Sequence, residues 1–237
     1  TLTLQAASVD NSSTRVFNAD GTPQPMGLEG ANIVMTTANL NNTQGAVRAA
    51  QDLSVFSDGQ LTNDQGELSA GRKLQIGMAQ ADNSTSAPSL SIHNQSGLIV
   101  ADQSVTVRTG SLSGAGTLAS KGDVSLSLQG DHTLAGTLQA GGNLSLSATG
   151  QITNPISVQA GKNLSITAGK LDNQATGELL SAKTTTLSIA DTLTNRGLID
   201  GADTRIQAGT VNNLGTGRIY GDRVAIDFEG KIDGEPF

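Results

Sequence analysis

The stretch Leu171-Asp-Asn-Gln-Ala-Thr-Gly-Glu-Leu-Leu-Ser-Ala182 holds two short apolar–x–small units, Leu171/Asn173 and Leu180/Ala182, joined by a polar corner. Leu193-Thr-Asn-Arg-Gly-Leu-Ile-Asp-Gly201 restates it about 20 residues later. Worked outward, the first unit recurs as Val9/Asn11, Leu40/Asn42, Leu61/Asn63, Ile92/Asn94, Leu112/Gly114, Leu134/Gly136, Ile152/Asn154, Leu193/Asn195, Val211/Asn213 and Ile232/Gly234. A fixed period of this length is the signature of a solenoid and has to be sought before any local propensity is weighed.

The second unit runs through Val47/Ala49, Leu68/Ala70, Ile99/Ala101, Leu118/Ser120, Leu138/Ala140, Val158/Ala160, Leu180/Ala182, Ile199/Gly201 and Ile219/Gly221. A third is an apolar pair: Ile33/Met35, Leu53/Val55, Leu74/Ile76, Val105/Val107, Val124/Leu126, Leu144/Leu146, Leu164/Ile166, Leu187/Ile189 and Val224/Ile226, with Thr204/Ile206 imperfect. All three alternate with period 2, so each predicts a short strand with one face inward. Three strands of four to five residues with tight corners use about 20 residues, enough to close one turn and lay each strand beside its counterpart in the next. The expected fold is all-β: a parallel β-helix of about eleven coils over residues 1–237, some 50 Å long at the ladder spacing of about 4.8 Å.

Antiparallel hairpins would not keep one residue type at one corner through successive units, whereas stacked coils superpose equivalent side chains as ladders. Asn11, Asn42, Asn63, Asn94, Gly114, Gly136, Asn154, Asn173, Asn195 and Asn213 form the expected Asn/Gly ladder. Exchange of Asn with Gly alone predicts positive φ at that corner. A second polar column reads Asn32, Asp52, Lys73, Asp123, Asn143, Asn163, Asp203, Arg223. The period breaks twice, which predicts insertions at about 17–27 and 77–89. The first holds Phe17, Pro23, Pro25 and Met26, an apolar cluster expected to pack on the shaft or cap it, with contact to a partner as the alternative; together with Met78 of the second, these are the candidate partner-loop residues.

Composition narrows the chemistry. Lys and Arg number 14 against 21 Asp and Glu, a net charge of −7, which disfavours nucleic acid and anionic lipid. Cysteine is absent, so neither disulfides nor thiolate metal sites form. Trp 0, Tyr 1 and Phe 4 leave little to stack on rings. Apolar runs fall short of a membrane span, so no membrane insertion is expected, and Thr1-Leu2-Thr3-Leu4 reads as the start of an internal fragment.

Together with Ala160-Gly-Lys-Asn-Leu-Ser-Ile-Thr-Ala-Gly169, the two quoted runs resemble the filamentous haemagglutinin repeats of large bacterial exoproteins. The resemblance covers nearly the whole chain. It implies a right-handed coil in a shaft that is secreted or displayed on a Gram-negative cell surface, as in adhesins and contact-dependent growth-inhibition toxin sticks. It also implies two partners: an outer-membrane two-partner secretion transporter for export, and a receptor on a host or neighbouring bacterial cell. No cofactor is implied. The rival reading is a polysaccharide lyase or hydrolase, since parallel β-helices also carry such enzymes, whose carboxylates cluster on one face. Here the carboxylates are scattered. Asp52 and Asp123 share a column but lie three coils apart, and Asp200, Asp203 and Asp222 are the nearest approach to a cation site. His93 and His132 have no nucleophile at a suggestive spacing, so no catalytic or metal-binding residue is assigned.

Overall fold

Alternation of apolar and polar residues becomes alternation of buried and exposed ones in a computed structural model that describes residues 1–77, 89–228 and 232–234. Leu144–Ala148 and Leu164–Ala168 bury every other side chain, as period 2 requires. The chain divides into two compact units, Thr1–Lys121 and Gly122–Phe237, and each winds as a parallel β-solenoid.

In the first unit, strand Leu2–Asp10 pairs in parallel with Ile33–Asn41, and the series continues through Leu53–Phe56, Lys73–Gly77 and Ser104–Arg108. A second sheet stacks Ala46–Ala49, Glu67–Ala70, Leu98–Ala101 and Thr117–Ser120. In the second unit the equivalent series runs Asp123–Leu128, Leu144–Ala148, Leu164–Ala168, Thr184–Asn195, Asp203–Asn213 and Arg223–Phe228. Four complete turns in the first unit and five in the second make about nine, fewer than eleven, because Val9 and Ile232 mark partial turns at the ends of the described chain.

The core is a set of aliphatic rows. Leu126, Leu146, Ile166, Leu187 and Ile206 superpose in register, none more than 2% exposed. Burying each such side chain contributes about 1.5–3 kcal/mol. The second sheet buries an aliphatic and then a small residue, as at Val158 and Ala160.

Three details depart from the sequence reading. In Ile33–Asn41, Thr184–Asn195 and Asp203–Asn213 the third and first units fuse into one long strand, so some turns have two strands rather than three. Leu180 and Ala182 do not face inward. Val158 pairs with Leu179 and Ala160 with Ser181, and Leu179 is fully buried; a slip of one residue exchanges the faces. The corner between the third and first units also needs a polar device in the first unit. There Thr37 donates to the Asn39 carbonyl at 2.9 Å, and Thr109 to those of Leu90 and Ser111 at 2.7 and 2.9 Å.

Candidate functional site

A buried carboxamide is costly unless both its donor and its acceptor are used, and the stacked coils use both. In the first unit Asn11 Nδ2 donates to Asn42 Oδ1 at 2.7 Å, Asn42 to Asn63 at 2.7 Å, and Asn63 to Asn94 at 2.8 Å. Each amide also reaches a carbonyl of the next turn: Asn11 to Ala46 at 2.9 Å, Asn42 to Glu67 at 3.1 Å and Asn63 to Leu98 at 3.1 Å. The second unit repeats this from Asn154 through Asn173 and Asn195 to Asn213, at 2.8, 2.7 and 2.8 Å. Every amide donates in one direction along the chain, so successive bonds polarise one another.

Gly114 stands opposite Asn94 in register with φ of +89°, where a Cβ would press on the Asn94 backbone. Gly136 is not a ladder position. His132 pairs with Ile152 and Thr133 with Thr153, and Leu134 N donates to the Thr153 carbonyl, which sets Leu134 opposite Asn154. Nor does the asparagine itself take positive φ. The left-handed residue comes two later, at Ser13, Gln44, Gln65 and Ser96. One residue further lies a glycine column that the sequence reading passed over: Gly45, Gly66 and Gly97. A Cβ on Gly66 would overlap the Asn42 carbonyl oxygen, and one on Gly97 that of Asn63. The spacing Asn-x-x-Gly in 42–45, 63–66 and 94–97 is the signal that would have found it.

The second polar column is a surface counterpart. Asp52 N donates to Asn32 Oδ1 at 3.3 Å, Asn143 N to Asp123 Oδ1 at 2.7 Å, and Asn163 Nδ2 to Asn143 Oδ1 at 2.8 Å. Arg72 pairs with Asp52 and Arg223 with Asp203. Hydrogen bonds from these arginines, with their charge, hold both carboxyls below their ordinary range.

Residues 16–24 of the first insertion form a small antiparallel hairpin. Asn18 N donates to the Thr22 carbonyl and Gln24 N to that of Val16, both at 2.8 Å, with Phe17 opposite Pro23. This pair is the one that exchanges no backbone bonds, so proline's missing N–H costs nothing. Phe17 is 47% and Met26 43% exposed; Pro23 and Pro25 are exposed as well. Arg15 lies over the Phe17 ring, 5.2 Å from its centroid. The second insertion, with Met78, lies outside the described residues except for its ends at Gly77 and Ser89.

Both histidines have local partners near the surface. His93 Nδ1 meets Asp64 Oδ1 at 2.6 Å, and His132 Nε2 meets the Gln129 carbonyl at 2.7 Å. Asp203 is engaged by Arg223, and among the described residues no three His, Cys, Asp or Glu gather as metal ligands. No helix among the described residues is long and apolar enough to cross a membrane.

Comparison with known proteins fits this geometry. The haemagglutinin repeat family matches residues 1–154 and 153–197. Neither a curated protein nor a solved structure matches the chain. With most of its length inside the family's repeats and its asparagines stacked turn upon turn, the chain belongs to the haemagglutinin repeat family.

Proposed function

We propose that residues 1–237 are a stretch of the structural shaft of a filamentous exoprotein, secreted or displayed by a Gram-negative bacterium. The shaft carries an adhesive or toxin-delivering element to another cell. The family supports the adhesin-like shaft. The observation that carries the reading is the ladder: amides of successive turns bond at 2.7–2.8 Å in both units, a pattern that rewards the addition of turns rather than the shaping of a cleft. Each turn offers the next a preformed edge and a row of amides, so the chain can fold as it emerges from an outer-membrane two-partner secretion transporter. The projecting hairpin with Phe17, Pro23, Pro25 and Met26 is the segment we assign to contact with another molecule.

The test is export of the parent exoprotein with and without its outer-membrane transporter. We expect surface or medium protein only when the transporter is present. Equal amounts in both would end the proposal. Release of reducing ends from pectin-like or host glycans by the purified chain would favour the polysaccharide-active alternative.

A further inference from the structure

The outer face of the second sheet in the first unit is crossed by a charged cluster. Glu67 begins the strand Glu67–Ala70, and its carboxylate is mostly covered. It accepts from Arg48 Nη2 at 3.0 Å and from Ser69 Oγ at 2.8 Å, and faces Arg15 Nε at 3.5 Å. Those two arginines hold the two limbs of the hairpin. Arg15 precedes the first limb, stacks on Phe17 and donates to the Gln65 carbonyl at 3.2 Å. Arg48 donates to the carbonyl of Gln24, on the second limb, at 3.3 Å. The remaining charge is Glu29, which meets Arg48 at 3.2 Å and is the more exposed of the two glutamates.

We propose that Glu67 is the positioning residue of the hairpin, a latch that fixes both limbs from a turn to which the hairpin is not covalently adjacent. The latch fixes the orientation of Phe17 and Met26, whatever molecule they meet, so the inference is independent of the shaft reading. Its basis is the asymmetry of the cluster. Arg15 Nε is buried and makes no hydrogen bond, so the Glu67 charge is what compensates it. Removing one partner of a covered pair leaves the other uncompensated, and the freed arginine then turns to water. Arg48 would keep Glu29 and stay near the sheet, while Arg15 and the first limb would let go. The coils lie beneath, held by ladders that do not include Glu67's side chain.

The test is hydrogen exchange of the full chain, resolved by residue and expressed as protection relative to the intrinsic rate. The hairpin is read at the amides of Asn18 and Gln24, and the coils at those of Asn42 and Asn63. In Glu67→Gln we expect hairpin protection to fall about tenfold or more while the coil amides keep theirs, the mark of a local opening. Arg48→Met should lower protection at Gln24 before Asn18. Glu29→Gln should leave both within about twofold, since exposed pairs contribute little. Hairpin protection unchanged in Glu67→Gln would overturn the latch, whatever Arg48→Met does. Equal loss in hairpin and coils would overturn it too, by making Glu67 a support of the sheet.

Discussion

Asn63 Nδ2 and Asn94 Oδ1 lie 2.8 Å apart across 31 residues of chain, while Asn42 and Asn63 make the same bond at 2.7 Å across 21. The insertion between the later pair leaves the ladder geometry untouched. Asn11 and Asn42 show this again for the first insertion, at 2.7 Å over 31 residues. Loops therefore depart from corners, and the amide column is indifferent to what they contain.

Asn63→Ala would leave one N–H of the Asn42 amide without its acceptor and Asn94 Oδ1 without its donor, while Asn42 keeps its bond to the Glu67 carbonyl. Buried groups left unpaired cost about 1–3 kcal/mol each, so the expected loss is on the order of 3 kcal/mol. Asn213→Ala, at the less buried end of the second ladder, should cost less. Urea midpoints of the two variants decide this; equal shifts would show that burial along the column does not set the cost.

Gly66→Ala places a methyl on the Asn42 carbonyl oxygen, a backbone atom that cannot turn aside. Overpacking of this kind costs roughly 1–3 kcal/mol. The measurement is thermal unfolding followed by circular dichroism. Gly21→Ala, on the open hairpin tip, supplies the contrast: no atom lies within 4 Å of its Cβ, and its φ of +81° strains the backbone alone.

Leu146 is 1% exposed in the middle of its row and Ser145 faces water. Leu146→Ala should cost about 2–5 kcal/mol and Ser145→Ala no more than about 0.5 kcal/mol. Denaturant titration separates them by midpoint, and similar values would mean that the rows are not close-packed.

Acid should release the latch. Burial pushes the Glu67 carboxyl up, but hydrogen bonds from Arg48 and Ser69 and the charges of Arg48 and Arg15 outweigh it and hold the group below its ordinary 4.5. A folded-state value below the unfolded one means that this stabilisation is complete above about pH 4.5 and is lost as pH falls through the folded value. Hairpin protection should therefore decline more steeply in the wild type than in Glu67→Gln, where Asp20, held below its ordinary range by hydrogen bonds from Thr22, is the hairpin carboxylate left to titrate. A parallel decline in both would place the acid response elsewhere.

Much of this architecture could be read from period and residue type. The aliphatic rows and the Asn columns need no knowledge of long-range contacts, because a parallel stack brings each residue to its own counterpart. What escaped the reading is instructive. Leu179 and Leu180 are chemically alike, and only the length of the preceding corner decides which turns inward. Leu134 and Gly136 look like a ladder unit, yet the pairing of His132 with Ile152 sets the register two residues away. The glycine three residues after Asn42, Asn63 and Asn94 is invisible to a hydrophobicity pattern, since its reason is a carbonyl of another turn. The Glu67 cluster depends on side chains converging from three turns, which no spacing announces.

Between Ile189 and Thr192 the pairing with the following strand slips, so that Ala190 and Asp191 stand against Gly209 alone. The next ladder bond, Asn195 to Asn213, still closes at 2.8 Å although 18 residues now complete the circuit, where 22 separate Asn173 from Asn195. The slip absorbs one of the four residues; 173–178 against 195–198 takes up two and 178–184 against 198–203 one, so the corners together work as expansion joints. Circuits of unequal length can be spliced in or out there without retuning their neighbours, so a filament assembled this way can change its reach by whole turns while leaving each surviving seam unaltered.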